Sequence, residues 1–246
     1  KQEFDRQSNL PLFRDAVASA EPKAQTRVVD YAEVAVIKNK IITPYFDNHA
    51  VIEQFKLLRT KILQETQEHD YRTILITSSL PQEGKTFIAV NLAITFAREV
   101  DQTVLLVDLH LHNPSVLNCF GIAQERGLTD YLLNDEPLPA LLLRPGIEKL
   151  TVLPAGLPIE RSAEALRSQK MQQLIGEMKN KYSDRYIFFD APPVLTSVDT
   201  MVLSEYVDKT LFIIESGRVK PGQVSEAMGR LEKTKLLGAI INKKID

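Results

Sequence analysis

A short loop between a predicted strand and a predicted helix carries residues that suit phosphate binding. The segment reads Thr77-Ser-Ser-Leu-Pro-Gln-Glu-Gly-Lys-Thr86. A helix that begins here offers free N–H groups and the positive end of its dipole to an anion. Gly84 permits the loop conformation, Lys85 supplies a cation for β- and γ-phosphates, and the Thr86 hydroxyl can bind Mg²⁺. The alternative is an ordinary strand–helix turn with a solvated lysine. The residues that we expect around the phosphates are Ser79, Pro81, Gln82, Glu83, Gly84, Lys85, Thr86 and Phe87.

An apolar strand that ends in aspartate supplies a second element. Tyr186-Ile-Phe-Phe-Asp190 is followed by Ala-Pro-Pro, which is the form of a Walker B element. The aspartate of such an element holds Mg²⁺, usually through water, beside the hydroxyl of the phosphate loop. The two prolines stiffen the turn and cannot continue a strand ladder. The alternative is that Asp190 only caps the turn.

A second strand of the same kind, Val104-Leu-Leu-Val-Asp108, follows the helix of the phosphate loop at once. Its strand should therefore lie near the strand of that loop. Asp108 can then face the γ-phosphate as a base or as a water-mediated metal contact; the alternative is a cap. His110 and His112 follow at every second position, but two histidines without a further nearby partner are a weak signal for a transition-metal site.

The elements that must position these residues alternate between short apolar runs and helical segments. Strands that are apolar on both faces are buried on both faces, and strand–helix alternation implies right-handed crossovers and a parallel sheet. Ligands bind such sheets beyond the carboxyl ends of the strands, where the loop and both aspartates lie. We predict strands over 73–77, 103–107, 150–153, 186–189, 209–214 and 237–241, and helices over 50–67, 85–98, 163–181, 200–206 and 221–234.

These patterns predict an α/β fold with a doubly wound, mostly parallel sheet over residues 46–246. Residues 1–45 are mixed and polar and are predicted to be an N-terminal arm or tail, in which the apolar run 34–37 forms a short strand or a packing arm.

Composition excludes several classes of protein. A net charge of -2 over 246 residues gives no global reason to expect nucleic acid as a partner. The single cysteine, Cys119, cannot form a disulfide within the chain. No apolar run approaches the roughly 20 residues that span a bilayer. We therefore expect a soluble, cytoplasmic protein whose membrane association comes through a partner.

The order of these motifs resembles the bacterial tyrosine kinases of capsule and exopolysaccharide synthesis, and most of all their stand-alone autokinases. The resemblance covers about residues 45–243. Besides the loop, it rests on Leu105-Leu-Val-Asp-Leu-His-Leu-His-Asn-Pro114, Gly127-Leu-Thr-Asp-Tyr-Leu132, Phe189-Asp-Ala-Pro-Pro-Val-Leu195 and Leu237-Gly-Ala-Ile-Ile-Asn242. It implies the P-loop NTPase fold of the septum-positioning and DNA-partitioning ATPases (MinD/ParA-like).

The resemblance also implies roles that the residues alone do not reveal. A Glu-x-x-Arg-x-x-Arg motif mediates ring-like self-association in the family, and here it reads Glu53, Lys56 and Arg59 on the helix at 50–67. Lysine keeps the charge but loses the bidentate fork of arginine. Asn242 is expected to contact the adenine, and Arg218 is expected near the base or ribose.

The chain departs from the family pattern at three places. The second Walker element of the family reads Asp-x-Asp, whereas His110 replaces its second aspartate and His112 replaces an arginine. Most family members carry a C-terminal tyrosine cluster, whereas the last tyrosine here is Tyr206. Ser79 replaces the first glycine of the loop, and Leu80 stands where the positioning ATPases carry a signature lysine.

The resemblance thus implies an ATP- and Mg²⁺-dependent tyrosine autokinase, with Lys85, Asp108 and Asp190 as catalytic residues and Thr86, Asp108 and Asp190 on the metal. It implies a homo-oligomer at the inner face of the membrane, activated by a membrane-embedded chain-length regulator. Two alternatives stay open: a catalytically weak ATP-binding scaffold, and a positioning ATPase without kinase activity.

Overall fold

Strands and helices alternate along most of the chain. The computed structural model describes residues 26–181, 184–231 and 235–243. The strands are β1 (Arg27–Val28), β2 (Thr73–Ser78), β3 (Thr103–Asp108), β4 (Leu143–Arg144), β5 (Leu150–Leu153), β6 (Arg185–Asp190), β7 (Lys209–Glu215) and β8 (Leu236–Asn242). The helices are α1 (Glu33–Lys38), α2 (His49–Gln67), α3 (Lys85–Ala97), α4 (Val116–Phe120), α5 (Leu128–Asn134), α6 (Leu138–Leu141), α7 (Ser162–Arg167), α8 (Gln169–Lys181), α9 (Asp199–Ser204) and α10 (Pro221–Gly229).

The described strands form one sheet in the order β1-β4-β5-β3-β6-β2-β7-β8. Only the contact between β4 and β5 is antiparallel. The predicted α/β fold with a doubly wound, mostly parallel sheet is therefore confirmed. β6 lies between β2 and β3, and its register places Asp190 beside Asp108. The strand that ends in Asp108 is thus one strand removed from the phosphate loop.

Both faces of the sheet are covered, as the apolar strands predict. In β2, Ile74 and Ile76 belong to the hydrophobic cluster that contains α3, whereas Leu75 points into the cluster that contains α8. The same alternation runs through β3 and β6. The parallel register of β2, β6 and β3 brings the carboxyl ends of these three central strands together, and the candidate site lies there.

The described part of the N-terminal segment, residues 26–45, lies against the first cluster. Val36, Ile41 and Ile42 are buried in it, and the backbone N–H of Ile42 donates to Asn91 Oδ1 on α3 at 2.7 Å. Of the two alternatives for residues 34–37, the short strand is wrong, because these residues form helix α1. The packing arm agrees with the structure, since Val36 of α1 is buried in the first cluster. The division of the chain at residue 45 stays a prediction, and residues 1–25 lie outside the described residues.

Two predicted helices are shorter than expected. The helix predicted over 163–181 is two helices, because Ser168 is extended (ψ 148°) and its hydroxyl accepts the N–H of Met171 at 3.2 Å, as an N-cap of α8 does. The helix predicted over 221–234 ends at Gly229, and residues 232–234 lie outside the described residues. In the described ranges, no helix has the length and apolar character that a bilayer span requires.

Candidate functional site

The phosphate loop joins β2 to α3 and has an unusual backbone. Gly84, with φ +92°, is the N-cap of α3, and Gln82 also has a positive φ of 65°. A side chain at Gly84 would meet Asn242, because an added Cβ would lie 2.2 Å from Asn242 Nδ2. The positive φ favours glycine here, and a larger residue would displace the Asn242 amide from its hydrogen bond with the carbonyl oxygen of Glu83. Ser79, at the start of the loop, is fully buried, whereas Pro81 and Gln82 at its tip are exposed.

Lys85 is the first residue of α3 and is only 4% exposed. Burial lowers its pKa, while the neighbouring carboxylates of Asp190 and Glu83 act in the opposite direction. A lysine held in so dry a place needs an anion nearby. The structure therefore argues against a solvated Lys85, which was the alternative for an ordinary strand–helix turn.

The hydroxyl of Thr86 donates a hydrogen bond of 2.6 Å to Asp190 Oδ2. Asp190 is fully buried, and burial is the main reason why its pKa is raised. Its other oxygen, Oδ1, has no hydrogen-bond partner among the described residues, and the same holds for His110 Nε2, 3.9 Å away. Buried polar atoms normally have partners. A hydrated Mg²⁺ would satisfy the carboxylate oxygen, so the Thr86–Asp190 pair fits that ion.

Asp108 is engaged by its own loop. Its Oδ1 accepts the N–H of His110 at 3.0 Å, and its Oδ2 accepts those of Ser115 and Val116 at 2.9 Å each. The carboxylate is fully buried. Asp108 thus caps the start of α4 and shapes the loop that faces Asp190. Its predicted contact with the metal or the acceptor stays a prediction.

The two histidines of this loop have different surroundings, because His110 Nε2 has no hydrogen-bond partner among the described residues whereas His112 Nε2 has one. His112 Nε2 lies 2.9 Å from the hydroxyl of Ser162, which donates to Asp199 Oδ2 at 2.8 Å. No group of three His, Cys, Asp or Glu side chains suited to a metal occurs within the described ranges. The contacts of His112 and Ser162 tie the loop after β3 to the starts of α7 and α9.

Sequence reasoning missed Ser115, Ser162 and Asp199. Ser115 Oγ lies 3.1 Å from the Thr86 hydroxyl, so it belongs to the side of the site formed by Thr86 and Asp190. Its position directly before an apolar helix is an N-cap signal that could have revealed it. No sequence signal joins His112 to Ser162, because the two come together only through the fold.

The residues predicted to contact the adenine or ribose lie near the carboxyl ends of β7 and β8. Asn242, at the end of β8, donates from Nδ2 to the carbonyl oxygen of Glu83 at 2.8 Å. Arg218 pairs with Glu215 at 2.8 Å, and this hydrogen bond is the main reason why the pKa of Glu215 is lowered. The ring of Phe87 packs against Phe55 of α2, with 5.9 Å between ring centroids, so its described contact is with the core.

The three residues predicted for self-association do not share one environment. Glu53 and Lys56 form an exposed pair at 2.8 Å on α2. Arg59 is only 18% exposed and binds Glu99 at 2.6 Å and the carbonyl oxygen of Thr95 at 3.0 Å. Arg59 therefore holds α2 against α3 within the chain, which leaves the first two residues of the motif on the surface.

Comparison with known proteins places this site in a family. The chain is 34% identical over 194 residues to the tyrosine-protein kinase YwqD of Bacillus subtilis, covering 78% of this chain and 81% of YwqD. The solved kinase domain of the Escherichia coli tyrosine kinase ETK superposes with a TM-score of 0.75 at 26% identity, over 89% of this chain and 91% of that domain. A chain of the MinC:MinD cell division protein complex of Aquifex aeolicus shares the fold. It superposes with a TM-score of 0.52 at 20% identity, over 69% of this chain and 67% of that chain.

No protein-family model matches the chain. The identity to YwqD nevertheless extends over most of both chains, and the likeness to the ETK kinase domain extends over nearly all of that domain. The phosphate loop, Asp108 and Asp190 stand together at one edge of the sheet, as the resemblance implied. The chain belongs to the bacterial tyrosine kinase family.

Proposed function

We propose that this protein is an ATP- and Mg²⁺-dependent protein-tyrosine autokinase that regulates the synthesis and export of capsular or exopolysaccharide. The observation that carries the proposal is the hydrogen bond of 2.6 Å between Thr86 and Asp190, beside a buried Lys85. The names of the relatives support tyrosine as the acceptor, since YwqD and ETK are both called tyrosine kinases.

In the proposed reaction, the phenolic oxygen of a tyrosine attacks the γ-phosphorus of ATP. The bond from that phosphorus to the β,γ-bridging oxygen breaks, ADP leaves with the electron pair of that bond, and the phenolic proton passes to water. Lys85 and the N–H groups at the start of α3 neutralise the phosphate oxygens. Thr86 and Asp190 would hold Mg²⁺, which would supply positive charge to stabilise the negative charge of the transferring phosphate. Catalysis then consists mostly of positioning and charge stabilisation.

The remaining site residues receive narrower roles. We assign Asp108 a positioning role, because three backbone N–H groups occupy its oxygens and it sets the loop opposite Asp190. Asn242 and Arg218 are proposed for the base and ribose of ATP or ADP. Asn242 also donates a hydrogen bond to the phosphate loop, so the same side chain can contact the base and support the loop that binds the phosphates.

We further propose a ring-like homo-oligomer that forms through the helix predicted over 50–67. The exposed pair of Glu53 and Lys56 supports it, because both side chains can exchange partners with a second copy at little cost. A membrane-embedded chain-length regulator is the proposed activator, and it would hold the kinase at the inner face of the membrane. Nucleic acid is not a proposed partner, since the net charge is -2.

A second candidate is a catalytically weak scaffold that binds ATP. The observation in its favour is His110, which stands where the family carries a second carboxylate. A neutral imidazole cannot replace that charge. A third candidate, a positioning ATPase, is disfavoured by Leu80 in place of its signature lysine.

One experiment separates the three. The full chain is incubated with the cytoplasmic tail of its activator and ATP·Mg²⁺, and phosphotyrosine and free phosphate are measured separately. We expect phosphotyrosine in the wild type, loss of it in Lys85→Ala, and no change in the exposed control Lys38→Ala. If phosphate is released in a Lys85-dependent way but no phosphotyrosine forms, the kinase proposal fails and the positioning ATPase is favoured. If the protein binds ATP but forms neither phosphotyrosine nor free phosphate, the ATP-binding scaffold is favoured.

A further inference from the structure

The ends of β7 and β8 hold the phosphate loop from outside. Lys243 Nζ donates to the carbonyl oxygen of Gln82 at 3.0 Å, and Asn242 Nδ2 donates to that of Glu83 at 2.8 Å. Lys243 Nζ also lies 3.2 Å from Glu215 Oε1 at the end of β7. Two successive carbonyl groups of the loop are therefore turned toward the strand ends.

Turning these carbonyls outward has a consequence for the N–H groups. A peptide unit is planar and trans, so its C=O and its N–H point in opposite directions. The carbonyl of Gln82 shares a peptide with the N–H of Glu83, and that of Glu83 shares one with the N–H of Gly84. Neither of these N–H groups donates a hydrogen bond within the part of the chain that the structure describes. They face away from the strand ends, as donors for an anion must.

The side chain of Glu83 completes the attachment. It is fully buried although it belongs to a loop whose tip is exposed. Its Oε1 accepts the N–H of Leu80 at 2.5 Å, and its Oε2 accepts that of Glu215 at 3.0 Å. One carboxylate thus closes the loop on itself and ties it to β7. This support matters because Gln82 holds a positive φ of 65°, which a residue other than glycine adopts only when its surroundings enforce it.

We propose that Lys243 and the Glu83 side chain, together with Asn242, form a brace that orients the peptides of the phosphate loop before nucleotide arrives. Lys243 and the Glu83 carboxylate are positioning residues, since each acts on phosphate through the backbone. The proposal rests on the ATP-binding part of the proposed function. It assigns Lys243 and the Glu83 carboxylate to the phosphates and not to the base, whereas Asn242 contacts the loop and is also proposed for the base.

The test compares ligands that contain different parts of ATP. Dissociation constants for ATP, tripolyphosphate and adenosine are measured by calorimetry with the full chain. Lys243→Met should weaken ATP and tripolyphosphate by the same factor, about fivefold to tenfold, and leave adenosine unchanged. Lys243→Arg, which keeps a donor and the charge, should restore most of the affinity. Arg230→Met is the matched control, because it removes an exposed cation that pairs with Glu226 on α10.

High salt distinguishes a brace from electrostatic attraction between Lys243 and the phosphates of the ligand. The Debye length falls to about 3 Å at 1 M salt, so a purely Coulombic effect of Lys243 on phosphate would vanish there. A brace would persist, because the Gln82 carbonyl would still lack its donor. Loss of the Lys243→Met effect at high salt, or equal loss of adenosine binding, would overturn the proposal.

Glu83→Gln provides a second, independent variant. Glutamine offers one oxygen, so one of the two N–H groups that Glu83 accepts would face an amide NH₂. Tripolyphosphate affinity should fall about tenfold, with adenosine unchanged. If wild-type protein fails to bind ATP, the proposed function fails. If it binds ATP while Lys243→Met and Glu83→Gln bind all three ligands as wild type does, only the brace fails.

Discussion

Replacing Asp108 by asparagine should destabilise the protein more than it changes nucleotide affinity. The carboxylate accepts three backbone N–H groups, one on Oδ1 and two on Oδ2, and it is fully buried. Asparagine can place its single oxygen at the Oδ2 position and keep the bonds from Ser115 and Val116. Its NH₂ group then faces the N–H of His110, and two donors oppose each other.

The magnitude follows from these contacts. A hydrogen bond to a charged acceptor contributes about 1.5–3 kcal/mol, and a buried donor that loses its acceptor costs about 1–3 kcal/mol. The substitution loses one such bond and weakens two, so we expect the free energy of unfolding to fall by about 2–3 kcal/mol. For a chain of this size, each kcal/mol shifts Tm by roughly 2–4 °C. The expected decrease is therefore about 5–10 °C.

The assay pairs thermal unfolding with ATP binding and phosphotyrosine formation. Asp101→Asn, at an exposed aspartate just before β3, is the matched control and should behave as wild type. ATP affinity of Asp108→Asn should stay within about threefold of wild type at a temperature where the variant is folded, because among the described residues no hydrogen bond joins Asp108 directly to the phosphate loop. An unchanged Tm with abolished phosphorylation would refute the positioning role and restore Asp108 as a direct ligand or base.

Other substitutions test the remaining contacts. Lys85→Met should weaken ATP binding about 100-fold in calorimetry while leaving the Tm of the nucleotide-free protein equal or higher, because burial already disfavours the ammonium there. Asp190→Asn should raise the free energy of unfolding at neutral pH, since burial raises the pKa of Asp190, and urea titrations should find this gain gone below about pH 4, where the carboxyl is protonated in both states. Asp208→Asn should instead lower the free energy of unfolding at neutral pH. Burial raises the pKa of Asp208, but hydrogen bonds from a lysine and the backbone outweigh it and hold the pKa below its usual value. The ionised form therefore stabilises the fold above about pH 4, and this stabilisation is lost as the pH falls further. Glu53→Lys should dissociate the proposed oligomer in sedimentation without a change in Tm, whereas Arg59→Ala should lower the stability by about 1–2 kcal/mol through its contacts with α3; the reverse pattern would place Arg59 at the interface.

Much of the fold could be predicted because its signals are local. The central strands β2, β3 and β6 are apolar on both sides, and β3 and β6 end in Asp108 and Asp190. Gly84 with Lys85 identifies the start of α3. Predicted and observed bounds of these elements differ by one or two residues. The shorter elements, such as β1 and α4, escaped prediction because two to five residues carry too little periodicity.

The broken helix at 163–181 shows where local pattern fails. Both halves have helical periodicity, and a serine in the middle of such a run is tolerated in many helices. The break is decided by Ser168, whose hydroxyl caps α8 while its backbone stays extended. α7 does not continue α8 as one helix and packs against α9.

The sequence by itself determined that this chain carries a strand–loop–helix of phosphate-loop type, a strand that ends in Asp190 and an α/β sheet, because each depends on residue types at short spacings. Only the tertiary structure decided what each side chain does there. It joined Thr86 to Asp190 across 104 positions and Lys243 to Gln82 across 161. It also turned Asp108 toward its own loop and Arg59 toward α3. The physical reason is that hydrogen bonds between distant segments depend on strand order and register, which no short spacing in a sequence encodes.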